Sequence, residues 1–247
     1  MRVVGGWQGS CPGSWHNLVG RGERELRGER RGKGGRSLFA TIAPLFFAVW
    51  ASVPASAQPV RPLVRVGAAG SSALVEDAMA TPGLRQRLGT ALDGSVRAWA
   101  APGPLVEAGL EVRVRPRVRL SGLVSWQGSS LQVEDGAGTR RVQDLSLLGG
   151  LLEMGFDVRG PWELTAGAGA LTYRAGEEGI FADGADIAPL ARGGAAAHLS
   201  WRGHALRLGG FAEGHPFGTS VIRQLGGSNG LVLRYGLQLG LIWGGGR

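Results

Sequence analysis

Eight segments of this chain alternate apolar and polar residues with a period of two. They cover residues 62–71, 105–115, 118–127, 142–158, 162–173, 190–201, 205–213 and 230–243. Because successive side chains of a β-strand point to opposite faces, this period predicts strands with one apolar and one polar face. Most of the segments are close to the length of about ten residues that a tilted membrane strand needs. The pattern therefore predicts an all-β protein.

The connections between these segments alternate between short and long. Residues 116–117, 159–161 and 202–204 form short connections, and residues 72–104, 128–141, 174–189 and 214–229 form long ones. Short turns at one end and long loops at the other are typical of bacterial outer-membrane barrels, where the turns are periplasmic and the loops extracellular. The barrel has to close, because an open sheet edge in hydrocarbon leaves backbone groups unpaired.

The polar faces of the segments carry arginine, glutamate and aspartate. An eight-stranded barrel is only wide enough for side chains to fill its interior, where opposite charges can pair. The apolar faces are therefore predicted to meet lipid, with Leu231, Leu233, Leu237 and Leu239 outside and Arg234 and Gln238 in the lumen. We predict one interior network that closes the pore. Its predicted pairs are Glu213 with Arg234, Arg65 with Glu111, and Arg119 with Glu153.

Tryptophans mark the predicted ends of the barrel. Trp162, Trp201 and Trp243 fall beside short turns or the C-terminus, and Trp126 falls near a long loop. Tryptophan prefers the membrane–water boundary, because its ring is apolar and its N–H needs a partner. The placement predicts two aromatic girdles. The alternative is that these residues fill a soluble core.

The first 57 residues read as a leader. An apolar run follows a basic region and precedes Ala55-Ser56-Ala57, which predicts a signal peptide over residues 36–57, cleaved before Gln58. The alternative is a single membrane anchor. Residues 1–35 are either a wrongly assigned start or an unusually long n-region. Residues 58–247 form the predicted barrel, and because the only cysteine is Cys11 they can form no disulfide.

Most of the excess positive charge lies in the leader. The chain has a formal net charge of +8, of which residues 1–57 contribute +5. The remaining residues contain no lysine, and their arginines are spread at strand spacing. A nucleic-acid-binding face would cluster its basic residues on one surface. We therefore expect no nucleic-acid partner.

A signal segment, eight alternating strands, short periplasmic turns and a terminal strand with a late aromatic, Trp243, resemble the small outer-membrane barrels of the OmpA/OmpX type. The resemblance implies an eight-stranded antiparallel transmembrane barrel with up-and-down meander order. It also implies a monomer in the cell outer membrane, with outer-membrane lipids, lipopolysaccharide and the barrel-assembly machinery as partners and with no cofactor or metal. Barrels of this type usually end on the aromatic residue, whereas here Gly244–Arg247 follow it.

Three functions remain open from the sequence. The first is a structural or surface-interaction role through the extracellular loops, with a filled lumen and no enzymatic activity. The alternative is a narrow channel for small solutes. A weaker alternative is a lipid-modifying enzyme, because His198-Leu199-Ser200 resembles the His-x-Ser of outer-membrane lipid A deacylases. Both side chains are expected in the lumen near the periplasmic end, with no acid at an obvious orienting position, so we predict no catalytic residues.

Two loop segments carry further expectations. Residues 177–186 hold four acidic residues without the spacing of an EF-hand loop, which favours a solvated loop over a calcium site. Residues 84–92 predict a short helix over the barrel mouth.

Overall fold

The computed structural model describes residues 60–76, 80–92, 94–175, 179–181, 187–225 and 230–243. The predicted leader, its cleavage site before Gln58, the residues after Trp243 and most of the acidic segment 177–186 lie outside the described residues. No helix among the described residues is long and apolar enough to span a membrane.

The described chain folds into ten strands. They are β1 Arg61–Ser71, β2 Ala73–Val75, β3 Arg97–Ala100, β4 Gly103–Arg115, β5 Val118–Asp135, β6 Gly138–Asp157, β7 Trp162–Ala175, β8 Ala188–Trp201, β9 His204–Phe217 and β10 Gly230–Ile242. Eight of them, β1 and β4 to β10, pair antiparallel in meander order. The first and last strands also pair, from Leu63 opposite Ile242 to Ser71 opposite Arg234, which closes the barrel. The predicted eight-stranded closed barrel is confirmed, and each of the eight alternating segments coincides with one of its strands to within one residue at the C-terminal end or lies inside it.

The three short connections adopt tight turns. Between β8 and β9, Arg202 and Gly203 have φ values of 47° and 80°. Two successive positive φ angles belong to a type I′ turn, whose twist matches that of a two-stranded hairpin. Pro116 and Arg117 connect β4 to β5, and residues 158–161 connect β6 to β7. This end of the molecule is called the short-turn end below.

The opposite, long-loop end departs from the prediction at residues 128–141, which were expected to be a loop. There β5 and β6 continue as a paired hairpin to Asp135 opposite Gly138. Alternation persists beyond the barrel in this region, so that Leu131 and Val133 are buried on one face. The Ala137 N–H donates to Asp135, and the Arg140 guanidinium beside it lowers the pKa of Asp135 below its ordinary value.

The remaining elements of the long-loop end cover the barrel mouth. The strands β2 and β3 add to the β5 extension. The helix α1, Pro82–Arg87, begins at the cap Thr81, whose Oγ1 accepts a hydrogen bond from the Leu84 N–H. It starts earlier and ends earlier than the predicted helix over 84–92, because Thr81 and Pro82 favour a helix start. A 3₁₀ turn, Gly179–Phe181, and the helix α2, Ser220–Gln224, complete this end.

An apolar core, called the cap, joins these elements to the upper barrel. Its buried residues come from both the loops and the strand ends: Leu74, Leu84, Leu88, Val96, Leu131, Val133, Leu145, Leu147, Tyr173, Ile180, Phe181, Phe217, Ile222 and Val232. The ring of Phe217 meets those of Tyr173 and Phe181 edge-on, at centroid distances of 5.2 and 5.9 Å. Ile180 and Phe181 are therefore core residues within a segment that the sequence had suggested is solvated.

The outer face of the barrel is apolar and exposed. Its large side chains include Val66, Val106, Leu110, Val124, Met154, Phe156, Leu164, Leu199, Leu208, Leu231, Leu233, Leu237 and Leu239, together called the belt. Arg234 and Gln238 are buried on the other face, as predicted. Trp126, Trp162, Trp201 and Trp243 are all exposed, so none of them fills a core.

Glycine lets the wall pack closely. A Cβ atom at Gly169, on the inner face of β7, would overlap the carbonyl oxygen of Gly150 on the neighbouring strand β6. Only glycine allows this approach of the two backbones. The interior is correspondingly narrow, which determines how the charged side chains inside it can meet.

Candidate functional site

Among the residues that the structure describes, five arginines and five glutamates lie buried on the inner faces of the barrel. They are Arg65, Arg119, Arg192, Arg207 and Arg234, and Glu107, Glu111, Glu153, Glu163 and Glu213. Their number is balanced, and a buried charge is tolerated only when it is paired and hydrogen-bonded. Their contacts therefore determine whether the lumen is open or filled.

The network begins near the long-loop end. Glu213 lies directly opposite Arg234 in the β9–β10 register and accepts a hydrogen bond from its Nη1. The other oxygen of Glu213 accepts from Arg192 Nε at 2.9 Å. Arg192 also donates through Nη1 to Glu107 at 2.6 Å and lies over the ring of Phe211, 4.2 Å from its centroid. Glu213 thus holds two buried arginines together.

The middle of the network crosses the lumen. Arg65 on β1 donates to Glu107 at 3.4 Å and to Glu153 on β6 at 2.6 Å. Arg207 on β9 lies 3.5 Å from the same oxygen of Glu153. Gln238 joins the crossing when its amide nitrogen is oriented to Glu107, at 3.1 Å, and its oxygen to Arg207, at 3.0 Å. Side chains from strands that are not neighbours therefore meet at the barrel axis.

The network ends near the short-turn end. Glu163 accepts from Arg207 Nε at 2.9 Å and lies 2.5 Å from His198 Nε2 and 3.6 Å from Arg119. Arg119 also donates to Asp157. Cations and anions thus alternate without a break from Arg234 through the lumen to Asp157. This ordered set is called the charge chain below.

The predicted network exists, but two of its three predicted pairs are wrong. Glu213 with Arg234 is confirmed. Arg65 contacts Glu107 and Glu153 instead of Glu111, since Glu107 is the residue opposite it in the register. Arg119 contacts Asp157 and Glu163 instead of Glu153. The predicted partners were placed by depth alone, which missed Glu107 and Asp157 on the adjacent strands. The contacts of Arg65 with Glu153 and of Arg119 with Glu163 reach across the narrow lumen.

His198 and Ser200 lie near the short-turn end, as expected, but are not arranged as a catalytic pair. His198 Nε2 faces Glu163, an acid that the sequence pattern missed, and its Nδ1 lies 3.5 Å from Arg119 Nη1. Among the described residues no hydrogen bond joins Ser200 to His198. With both ring nitrogens directed at other groups, His198 is not placed to take a proton from Ser200. The sequence could have indicated Glu163, because it follows Trp162 at the start of β7, the strand before the one that carries His198.

A cavity of about 420 Å³ opens at the short-turn end. Its lining includes Glu111, Arg113, Arg119, Asp157 and His198. Glu111, the one interior glutamate outside the charge chain, is buried against this cavity. The cavity ends at the charge chain, so among the described residues it forms a vestibule at one mouth of the barrel.

The upper boundary of the charge chain is a buried polar pair below the cap. The Tyr173 hydroxyl and His215 Nε2 are 2.8 Å apart, and both side chains are almost fully buried. The contact satisfies the Tyr173 hydroxyl and His215 Nε2 at the level where the charged lumen gives way to apolar packing, whereas His215 Nδ1 has no hydrogen-bond partner among the described residues. Within the described parts of the chain, no group of three or more His, Cys, Asp or Glu residues could hold a metal ion.

Comparison with known proteins gives similarities at the level of solved structures alone. No family model matches the sequence, and no curated protein matches it. Neisserial surface protein A is 15% identical over 76% of this chain and 99% of its own, with a TM-score of 0.41. The outer membrane protein OprG from Pseudomonas aeruginosa is 10% identical over 74% of this chain and 95% of its own, with a TM-score of 0.41.

A third similar structure is the outer membrane channel DcaP of Acinetobacter baumannii. It is 10% identical over 61% of this chain and 46% of its own, with a TM-score of 0.27. Because these TM-scores lie below 0.5, the fold assignment rests on the strand pairing and on the closure between β1 and β10.

Proposed function

We propose that this chain is an integral outer-membrane barrel with a closed interior, which works at the cell surface through its long-loop end. One observation carries the proposal: apolar side chains face outward around the barrel while ten charged side chains are buried inside. A soluble barrel has the reverse arrangement, because water would meet the charges and the apolar groups would form the core.

The belt supports placement in a bilayer. Leu231, Leu233, Leu237 and Leu239 follow one another along the outer face of β10, each at least 48% exposed. Soluble monomers rarely expose a contiguous apolar surface of this kind. Exposed tryptophans lie toward both ends of the barrel, where a ring with one polar atom fits the boundary between lipid and water. A signal peptide would bring the chain across the inner membrane.

The charge chain supports a closed interior over the alternative of a narrow channel. Its members are hydrogen-bonded to one another across the lumen, so a passing solute would have to break buried ion pairs. The cap adds a second barrier, because apolar residues such as Phe181, Phe217 and Ile222 fill the upper mouth. A filled lumen leaves the surface of the long-loop end as the part of the molecule available for partners.

The cap also supports a surface role. Buried side chains of the cap anchor α1, α2 and the 3₁₀ turn, so these connections are packed against the barrel. The extended β5–β6 hairpin raises a further strand pair above the belt. We propose that lipopolysaccharide surrounds this end of the barrel. We also propose that the chain is a monomer and that the barrel-assembly machinery is one of its partners.

Cysteine labelling in Gram-negative cells tests the placement. Since Cys11 is the only cysteine, a Cys11→Ser background allows single cysteines to be introduced at chosen sites. We expect Ala137→Cys, in the turn of the β5–β6 hairpin, to react with a membrane-impermeant maleimide on intact cells. We expect Pro116→Cys, in the β4–β5 turn, to react only after the outer membrane is permeabilised.

A third variant controls for lipid burial. Leu237→Cys, on the belt, should stay unlabelled under both conditions and react after denaturation. Equal labelling of Ala137→Cys and Pro116→Cys on intact cells, or recovery of the protein in the soluble fraction, would contradict the proposed placement.

A further inference from the structure

Charges outside the lumen are distributed unequally between the two ends of the barrel. The short-turn end carries six arginines: Arg115, Arg117, Arg159 and Arg202, together with Arg61 and Arg113, which line the vestibule. The acids beside them are Asp157, which is bound to Arg119 of the charge chain and lies 3.9 Å from Arg113, and Glu111, which lies opposite Arg61 in the β1–β4 register. The connecting stretches at the other end, residues 72–102, 128–144, 174–187 and 214–229, contain seven arginines and ten acidic residues. The short-turn end is therefore strongly basic, whereas the sequence of the long connections carries no excess of basic residues.

The arginines of the short-turn end are spread around the barrel. Arg61 begins β1, three arginines flank the β4–β5 turn, Arg159 lies in the β6–β7 turn, and Arg202 lies in the β8–β9 turn. In the closed strand order these four places are two strands apart. The cations consequently form a ring around the rim. Arginines spread around a ring cannot all contact one small anion. They can instead contact many anions that lie in one plane around the barrel.

The arginines in this ring are available for binding. Arg115, Arg117, Arg159 and Arg202 are exposed, and none forms an ion pair with another described residue. The Arg202 guanidinium carbon lies 5.4 Å from the ring centre of Trp201, an exposed residue at the edge of the belt. Charge and aromatic side chains thus lie together at the level where a bilayer has its headgroups.

We propose that this ring binds the phosphate groups of anionic phospholipids in the leaflet at the short-turn end. The inference rests on the proposed membrane placement and adds a lipid class and a side of the membrane to it. Guanidinium groups bind phosphate oxygens in bidentate fashion, and basic residues beside a bilayer attract anionic lipid. By binding phosphates around the rim, the arginines hold the barrel at a fixed depth in the bilayer.

Lipid selectivity measured with spin-labelled phospholipids tests the ring. The folded protein is reconstituted in phosphatidylcholine vesicles with a trace of spin-labelled phosphatidylglycerol or phosphatidylcholine, and the lipid immobilised at the protein surface is measured. We expect phosphatidylglycerol to associate about three-fold or more over phosphatidylcholine. Replacing Arg115, Arg117, Arg159 and Arg202 by glutamine should bring the ratio close to one.

The matched control removes as many arginines from the other end. Replacing Arg87, Arg97, Arg141 and Arg174 by glutamine should leave the ratio near the wild-type value, although both leaflets of the vesicle have the same composition. The two-residue variant Arg159→Gln with Arg202→Gln should lose about half of the preference, which keeps the test decisive if the fourfold variant folds poorly.

Three results would overturn the inference. One is a wild-type ratio near one. Another is an equal loss in the long-loop control. The third is displacement of the lipid by inorganic phosphate well beyond the effect of sodium chloride at equal ionic strength, which would indicate a site for a free anion. If the cysteine-labelling pattern holds while the lipid ratio is one, the membrane placement stands and the lipid site fails.

Discussion

Replacing Glu213 by alanine should lower the free energy of unfolding in lipid vesicles by about 3–5 kcal/mol. Glu213 accepts hydrogen bonds from both Arg192 and Arg234, and it is almost fully buried. Arg192 keeps Glu107 as a partner in the variant. Arg234 keeps no anion, because Glu213 is its only ion-pair partner among the described residues and its Nε and Nη2 already lack hydrogen bonds.

Removing the stranded cation as well should recover part of the loss. The double variant Glu213→Ala with Arg234→Ala should be more stable than Glu213→Ala alone, because no unpaired charge remains in the lumen. Urea unfolding in vesicles compares the wild type with Glu213→Ala, Arg234→Ala and the double variant. Glu134→Ala, at an exposed glutamate on the β5–β6 hairpin, is the control and should change stability by less than about 0.5 kcal/mol. A double variant whose loss equals the sum of the single losses would show that the two residues do not interact.

Replacing Leu237 by arginine should lower the free energy of unfolding in vesicles by about 2–4 kcal/mol. Leu237 lies in the middle of β10 on the belt, with an exposed fraction of 71%. In water an exposed leucine accepts such a change at little cost, so the expected loss comes from placing a cation in hydrocarbon. Urea unfolding in vesicles of defined thickness measures it.

Leu92 provides the matched control. It has a similar exposed fraction, 65%, but lies in the loop between α1 and β3, outside the belt. Leu92→Arg should leave stability within about 0.5 kcal/mol of wild type. Similar losses in the two variants, or no loss in either, would mean that the belt does not face lipid.

The period of two was sufficient to predict the barrel and the direction of its faces. In β10 every residue from Leu231 to Leu239 lies on the face that its place in the alternation predicts. The reason is geometric: a shift of one residue would turn every leucine inward and every charge outward. The alternation of short and long connections likewise predicted strand order, since each short turn joins neighbouring strands.

The pairing inside the lumen could be predicted only where partners share a register. Glu213 and Arg234 are directly opposite on adjacent strands, and their contact was predicted. Arg65 reaches Glu153 across the barrel, from β1 to β6. Sequence spacing does not give the stagger of strands around a closed barrel, so the alternation could not predict contacts across the lumen.

The cap was missed because its residues are scattered through connections. Leu84, Ile180 and Ile222 lie far apart in the sequence, and each stands in a stretch rich in polar residues and glycine. Their burial depends on the loops folding back onto one another above the barrel. The β5–β6 extension was missed because the third alternating segment was expected to end at Gln127.

Electrical conductance of the refolded protein in a planar bilayer tests the closed interior most directly. The wild-type barrel, with its fold verified by resistance to protease in the same lipid, should give no steady single-channel current, because the charge chain and the cap fill the lumen. Glu213→Ala should raise any residual conductance, since it removes the acid that holds Arg192 and Arg234 together. A steady ohmic current through the folded wild-type protein would contradict the closed interior and support a channel in its place.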